Sequence, residues 1–222
     1  MTNNLDNKLN VVTFITKDYL NIFGNYFLPT LPEEIESITT KCVNIGGYHR
    51  HSNYALELEK VRTKFIIEQI TAHMGQNLFM IDSDVVFSGR RFVLEINDIL
   101  SNYDFAFQNN TNWYNFGVFA IRCNDKTLDI FYKLLDRLNN PTDNYCKTLD
   151  ERYDDGYFLH DQHIINDLVR ENDVTHTSLP LEYFAGHFGS MELPSEWILY
   201  HATNTLSMEE KIQVLERKKN KI

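Results

Sequence analysis

Apolar and polar positions along the first half of the chain alternate between strand-like and helix-like spacing. Val11 to Thr16 (VVTFIT) is β-branched and aromatic and predicts a first strand. Tyr19 to Leu28 predicts a helix, and Pro29 and Pro32 break it. Ser37 to Ile45 predicts a second strand, followed by a loop at Gly46, Gly47 and Tyr48 to His51. From Tyr54 to His73 the apolar residues Leu58, Val61, Phe65, Ile66 and Ile70 fall at helical spacing, and Gly75 ends that helix. The continuous apolar run Leu78 to Ile81 then suits a strand buried on both faces. The order β-α-β-α-β favours a parallel sheet with right-handed crossovers, and so an α/β fold.

The second half changes character. Asp104 to Gln108 and Phe116 to Arg122 predict short strands joined by a loop of Asn, Thr and Trp. Leu128 to Leu138 is an amphipathic helix, Asp143 to Gly156 a polar loop, and Phe158 to Val169 a further helix. Trp197 to His201 predicts a late strand and Met208 to Lys219 the final helix. No internal repeat, low-complexity tract or linker divides the chain, so residues 1–222 read as a single domain. A nucleotide-binding half (about 1–108) and an acceptor-facing half (about 109–222) would share one sheet.

The chemistry concentrates where the Leu78 strand ends, in Asp82, Ser83 and Asp84, before a second apolar run at Val85 to Phe87. Ligands of open α/β sheets bind outside the carboxyl ends of the strands. Two carboxylates there are costly unless something cationic meets them. Hard divalent cations take oxygen ligands and bridge protein carboxylates to a diphosphate, so Asp-x-Asp at this place points to a metal–diphosphate site. Asp84 would ligate the metal, and Asp82 the metal or a ribose hydroxyl; the alternative is a polar turn between two strands. His201 ends its strand beside Thr203, Asn204 and Thr205 and is the expected third ligand; imidazole suits Mn²⁺ better than Mg²⁺.

Composition narrows the field. The formal net charge is −10, which argues against nucleic acid and against anionic membranes as partners. No stretch approaches the ~18 apolar residues of a membrane span, and the polar N-terminus has no signal-peptide core. Cys42, Cys123 and Cys146 lack metal or disulfide spacing and read as reduced thiols, which points to the cytoplasm.

Other side chains gather around the same end of the sheet in this reading. Arg62 and Lys64, on the helix before the Asp82 strand, would hold phosphate if they face that end. Lys211 would close over the diphosphate from the final helix, or else sit on a solvated face. Asp161, beside His160, Gln162 and His163, is the candidate general base; the alternative is an acidic first turn complementing the helix dipole. Trp113 offers an aromatic face to a sugar ring, and Asn115 and Gly117 frame a turn into a strand with close backbone approach. Gly186-His187-Phe188-Gly189 is a further Gly-flanked loop able to line the site.

These pieces, in this order, resemble the nucleotide-diphospho-sugar transferases of the GT-A fold. The features that carry it are Lys64 leading into FMIDSDVVF, Asn115-Phe116-Gly117 in YNFGVFAIR, the Asp161-Gln162 helix, and His201 followed by Asn204 and Lys211. The resemblance spans Val11 to about Leu215. It implies a Rossmann-like, mostly parallel central sheet flanked by helices, with a smaller acceptor-side subdomain. It implies sugar transfer from a nucleotide diphosphate, with UDP favoured, to a hydroxyl of a glycan or glycoprotein, and a requirement for Mn²⁺ or Mg²⁺. Thr13 and Thr16 of the first strand would contact base and ribose, Ser83 would join the donor site, and Gln162, His187 and Asn204 the sugar pocket. Golgi members carry a membrane anchor. Its absence here fits a bacterial enzyme, or a soluble transferase such as large algal DNA viruses use on capsid glycans, and leaves room for a longer parent chain.

Two other readings compete. A nucleotidyltransferase also uses paired aspartates, but the segment after the first strand, KDYLNIFGN, has no phosphate loop. A non-catalytic carbohydrate-binding protein would keep the fold without turnover.

Overall fold

The computed structural model describes residues 9–44, 53–110, 113–141, 161–186, 196–203 and 207–222, without the side chains of 53–55, 110, 184 and 185. The loops expected at 46–51 and 143–156, the first turn of the Phe158 helix, Cys146, and the candidates His187 and Asn204 lie outside the described residues.

The chain runs β1 (Asn10–Thr16), β2 (Ser37–Val43), α1 (Asn53–Ala72), β3 (Asn77–Ile81), β4 (Val85–Phe87), α2 (Val93–Asn102), β5 (Phe105–Asn110) and β6 (Trp113–Arg122). It continues through α3 (Asp125–Asn139), α4 (Asp161–Glu171), β7 (His176–Ser178), β8 (Tyr183–Ala185), β9 (Leu199–His201) and α5 (Met208–Lys219). Six strands form the main sheet in the order β2-β1-β3-β6-β5-β7, in which only β6 runs against the others. Three form a small sheet, β4-β9-β8. The α/β class and the mostly parallel sheet are those expected.

The main sheet is buried on both faces, and its side chains alternate between two cores. Val12, Leu78, Met80, Phe105, Phe107, Phe119 and Ile121 face the helices α1, α3 and α4. Val11, Phe79, Ile81, Ala106, Val118 and Ala120 face α2 and the strands β4 and β9. The period of 2 is that of a strand with both faces covered. Fully burying each large apolar side chain contributes roughly 1.5–3 kcal/mol, which fixes the register of β3 and hence where its carboxyl end falls. A third core, Ile22, Tyr26, Val86, Tyr200, Val214 and Leu215, seats α5 on the small sheet.

Three differences from the expected elements have physical causes. The helix after β1 is a series of short turns, from Lys17–Tyr19 to Leu28–Thr30, with a π segment at Phe23–Phe27. Pro29 has no N–H for the carbonyl of Asn25, and the Lys219 ammonium donates to it instead at 2.9 Å. The polar run after Gln108 continues as strand to Asn110, because cross-strand pairing with Tyr114 and Trp113 carries the backbone on. Helix α2 is not among the expected elements, and it has no local cap; Glu34, far upstream, accepts from Phe92 N at 2.5 Å and Val93 N at 3.1 Å. Among the described residues, no helix is long and apolar enough to cross a membrane. Cys42 and Cys123 are free, and burial pushes the Cys123 thiol up to about 12.

Candidate active site

The chain changes sheets inside the triplet Asp82-Ser83-Asp84. Ile81 pairs with Val118 in the main sheet, and Val85 pairs with His201 in the small one. Asp82 stays tied to the main sheet, its N–H donating to the Gly117 carbonyl at 2.6 Å. Asp84 is tied to the small sheet, its carbonyl accepting from Ala202 N at 2.9 Å. The two carboxylates and the His201 imidazole therefore meet where the sheets meet. His201 Nε2 lies 3.3 Å from Asp84 Oδ1 and 3.9 Å from Asp82 Oδ2.

Strand β6 is shaped to admit them. Its pairing with β5 jumps from Phe107–Phe119 to Gln108–Asn115, so Phe116, Gly117 and Val118 have no partners in β5. Asn115 Oδ1 accepts from Gly117 N at 2.7 Å and closes this bulge locally. Helix α4 completes it: Gln162 Oε1 accepts from Phe116 N at 3.1 Å, while the Asn166 amide accepts from Tyr114 N and donates to Tyr114 O. The glycine is required, since a Cβ at position 117 would run into Asp82 Oδ2 and stand 2.6 Å from His201 Cε1.

Two cations serve three carboxylates. Arg62 lies on the Phe116 ring, 4.5 Å from its centroid, and reaches Asp161 Oδ2 at 3.0 Å and Asp82 Oδ1 at 3.7 Å. Lys211, buried, bonds Asp84 Oδ2 and donates to Ala202 O at 2.6 Å, with Tyr19 beneath it at 5.6 Å. Burial works against the charge on Asp84, but the Lys211 ammonium outweighs it and holds its carboxyl well below the usual range. Desolvation raises Asp82; Arg62 opposes that, and the Asp84 and Asp161 carboxylates reinforce it. Among the described residues, Asp82, Asp84 and Asp161 against Arg62 and Lys211 leave one negative charge, which favours a further cation.

The donor set fits a divalent ion. Asp82, Asp84 and His201 each offer a ligand atom, all within 4.8 Å of one another. Two carboxylates and one imidazole would hold a divalent ion and leave coordination positions on it open.

Beside this cluster the main sheet opens. Strand β1 pairs with β3 only as far as Val12–Met80, while it stays with β2 through Thr16–Val43. The order β2-β1-β3 makes this the topological switch point, where ligands of such sheets bind. The buried hydroxyls of Thr13 and Thr16 have no hydrogen-bond partner among the described residues.

Of the expected site residues, the fold thus gathers Asp82, Ser83, Asp84, His201, Lys211, Arg62, Asp161, Asn115, Gly117 and Gln162, with Thr13 and Thr16 along the switch-point strand. Ser83 is buried in the triplet. Trp113 stands at the start of β6, edge-on to His163 at 5.5 Å. Lys64 is exposed, and at roughly 100° per residue it points about 200° around α1 from Arg62, away from the cluster. Two residues had no signal in the sequence, Gln108 and Asn166. Each acts through an amide on a strand or helix face, and only their register and neighbours give them away.

An α/β sheet with an acidic, imidazole-bearing cluster at the carboxyl end of β3 describes a class of nucleotide-dependent transferases. Residues 43–215 match the model of the nucleotide-diphospho-sugar transferase family, and the chain belongs to that family. No protein of curated function matches it in sequence. Among solved structures it is similar to the glycosyltransferase GlyE of Streptococcus pneumoniae TIGR4, with a TM-score of 0.55 and 17% identity over 97% of this chain. This chain spans 64% of the length of that one. A glycosyltransferase involved in the glycosylation of the major capsid of PBCV-1 gives a TM-score of 0.58 and 13% identity, covering 93% of this chain and 98% of its own. The galactosyltransferase LgtC, solved with donor and acceptor sugar analogues, gives 0.53 and 12%, covering 95% and 94%. The fold is the GT-A glycosyltransferase fold these structures share.

Proposed function

We propose that this protein transfers a sugar from a nucleotide diphosphate, with UDP favoured, to a hydroxyl of a glycan or glycoprotein, using Mn²⁺ or Mg²⁺. The observation that carries the reading is the convergence of Asp82, Asp84 and His201 at the end of β3, in a chain of the nucleotide-diphospho-sugar transferase family. A bound ion would act there as a Lewis acid on the leaving diphosphate. Lys211, already at the cluster's edge, would meet a phosphate oxygen once it leaves Asp84. The Thr13 and Thr16 hydroxyls, which have no partner among the described residues, support base and ribose binding in the opening between β1 and β3. Ser83 would line the donor site, and Trp113, Asn115, Gly117 and Gln162 would border the sugar pocket.

Asp161 is the carboxylate of the cluster outside the metal donors, and the candidate base if the reaction inverts the anomeric carbon. A retaining course would need no such base. Proton NMR of the product anomer tests this directly.

The reading as a whole is tested by thermal shift with a panel of nucleotide sugars, with and without Mn²⁺. Metal-dependent stabilisation by one nucleotide family is expected, since a ligand that binds only the folded state raises its stability with concentration. No response to any nucleotide under either condition would overturn it.

A further inference from the structure

His201 has two ring nitrogens, and only one can present a lone pair to the carboxylates. Which one it is depends on what faces the other. His201 Nδ1 lies 2.9 Å from Gln108 Oε1. The orientation of that amide is not free: Gln108 Nε2 lies 3.0 Å from the Tyr183 backbone carbonyl, which only accepts. The nitrogen of the amide must therefore face Tyr183 and its oxygen must face His201. An amide oxygen also only accepts, so His201 Nδ1 must carry the proton. Gln108 is fully buried, so no water competes for either bond.

We infer that Gln108 is a positioning residue that holds His201 in the Nδ1–H form, leaving Nε2 as the single ligand atom turned to Asp82 and Asp84. This rests on, and sharpens, the metal-site reading above. The fold invests in the arrangement at two places. The pairing of β5 with β6 shifts between Phe107 and Gln108, so that Gln108 stands opposite Asn115, and its side chain reaches His201. Tyr183 begins β8, which pairs in parallel with the His201 strand, so the chain segment that orients the amide is registered to the histidine it orients. In the absence of this amide the neutral imidazole would be free to place its proton on Nε2, beside Asp84 Oδ1, where a cation would have to displace it.

Nitrogen-15 NMR of the full chain without metal, at mildly alkaline pH, reads the tautomer directly. The expected result is a protonated Nδ1 on His201. A neutral imidazole with its proton on Nε2 would overturn the inference, and this readout needs neither metal nor a variant. The second measurement is calorimetry with Mn²⁺ alone on Gln108→Leu, checked for folding by circular dichroism. Removal of an outer ligand-orienting partner should weaken Mn²⁺ binding by ~10–100-fold relative to wild type. Unchanged affinity in a folded variant would overturn the role. Wild-type protein that binds no Mn²⁺ would instead sink the metal reading, and the tautomer alone would then decide the inference; the same holds if Gln108→Leu does not fold.

Discussion

Asp82 and Gly117 hold each other twice. The Asp82 N–H donates to the Gly117 carbonyl at 2.6 Å, and the Asp82 carboxylate occupies the space a side chain at Gly117 would need. Gly117→Ala is therefore expected to push on Asp82 and His201 together. The predicted effect is a loss of ~1–3 kcal/mol in urea unfolding, with turnover reduced by at least ~10-fold. Turnover at the wild-type level would mean the carboxylate can move aside without consequence.

Asp84 has two partners, and they separate stability from catalysis. Asp84→Asn should cut metal-dependent turnover by at least ~100-fold, through lost stabilisation of leaving-group charge. It also leaves the Lys211 ammonium buried without its counter-charge, at a cost of up to ~3–5 kcal/mol. Adding Lys211→Met should restore much of the stability and none of the turnover, as followed by paired melts and rate assays.

Thr13 gives a prediction of opposite signs. Thr13→Val keeps the shape and removes a buried hydroxyl that has no partner among the described residues. Thermal stability should hold or rise, by up to ~1–3 kcal/mol, while nucleotide affinity falls. Equal nucleotide binding by calorimetry would remove Thr13 from the donor site.

Asp104 sets an acid limit away from the site. Burial alone would raise its carboxyl, but bonds from Arg122 at 2.8 Å, Thr175 N at 2.9 Å and Asn124 at 2.8 Å outweigh it and hold it at about 2. A carboxyl depressed on folding stabilises above its unfolded value of about 4, and that contribution is lost as pH falls towards about 2. The melting temperature should drop across this window in wild type. Asp104→Asn should flatten the drop and lower stability at neutral pH.

The sequence showed most plainly what neighbouring residues determine among themselves. The Leu78–Ile81 run places Asp82 and Asp84 at a strand end, and the final helix runs from Met208 to Lys219 as expected, with Ser207 accepting from Glu210 N at 3.1 Å as a local cap. What stayed hidden depends on distant partners. The α2 helix takes its cap from Glu34, and the three-residue strands β7 and β8 exist only through their pairing with β5 and β9. Gln108 looked like the last residue of an ordinary strand, because its meaning lies in a register shift and in the Tyr183 carbonyl. Lys64 is a candidate in sequence because it lies with Arg62 on the helix that leads into the Asp82 strand, but residues two apart on a helix do not share a face.

The crossing of the chain between sheets makes the Asp82–Asp84 triplet a mechanical joint. Asp82 rides on the large sheet through Gly117, while Asp84 and His201 ride together on the small one. If one sheet slides over the other, the distance from Asp82 to His201 changes and the distance from Asp84 to His201 does not. The molecule thus carries an internal gauge of its own alignment. Repacking Val214 and Leu215 of α5 against Tyr200 should register there as lost activity in a protein whose circular dichroism is unchanged, since a shift of ~1 Å is enough to cost about 10²-fold in rate.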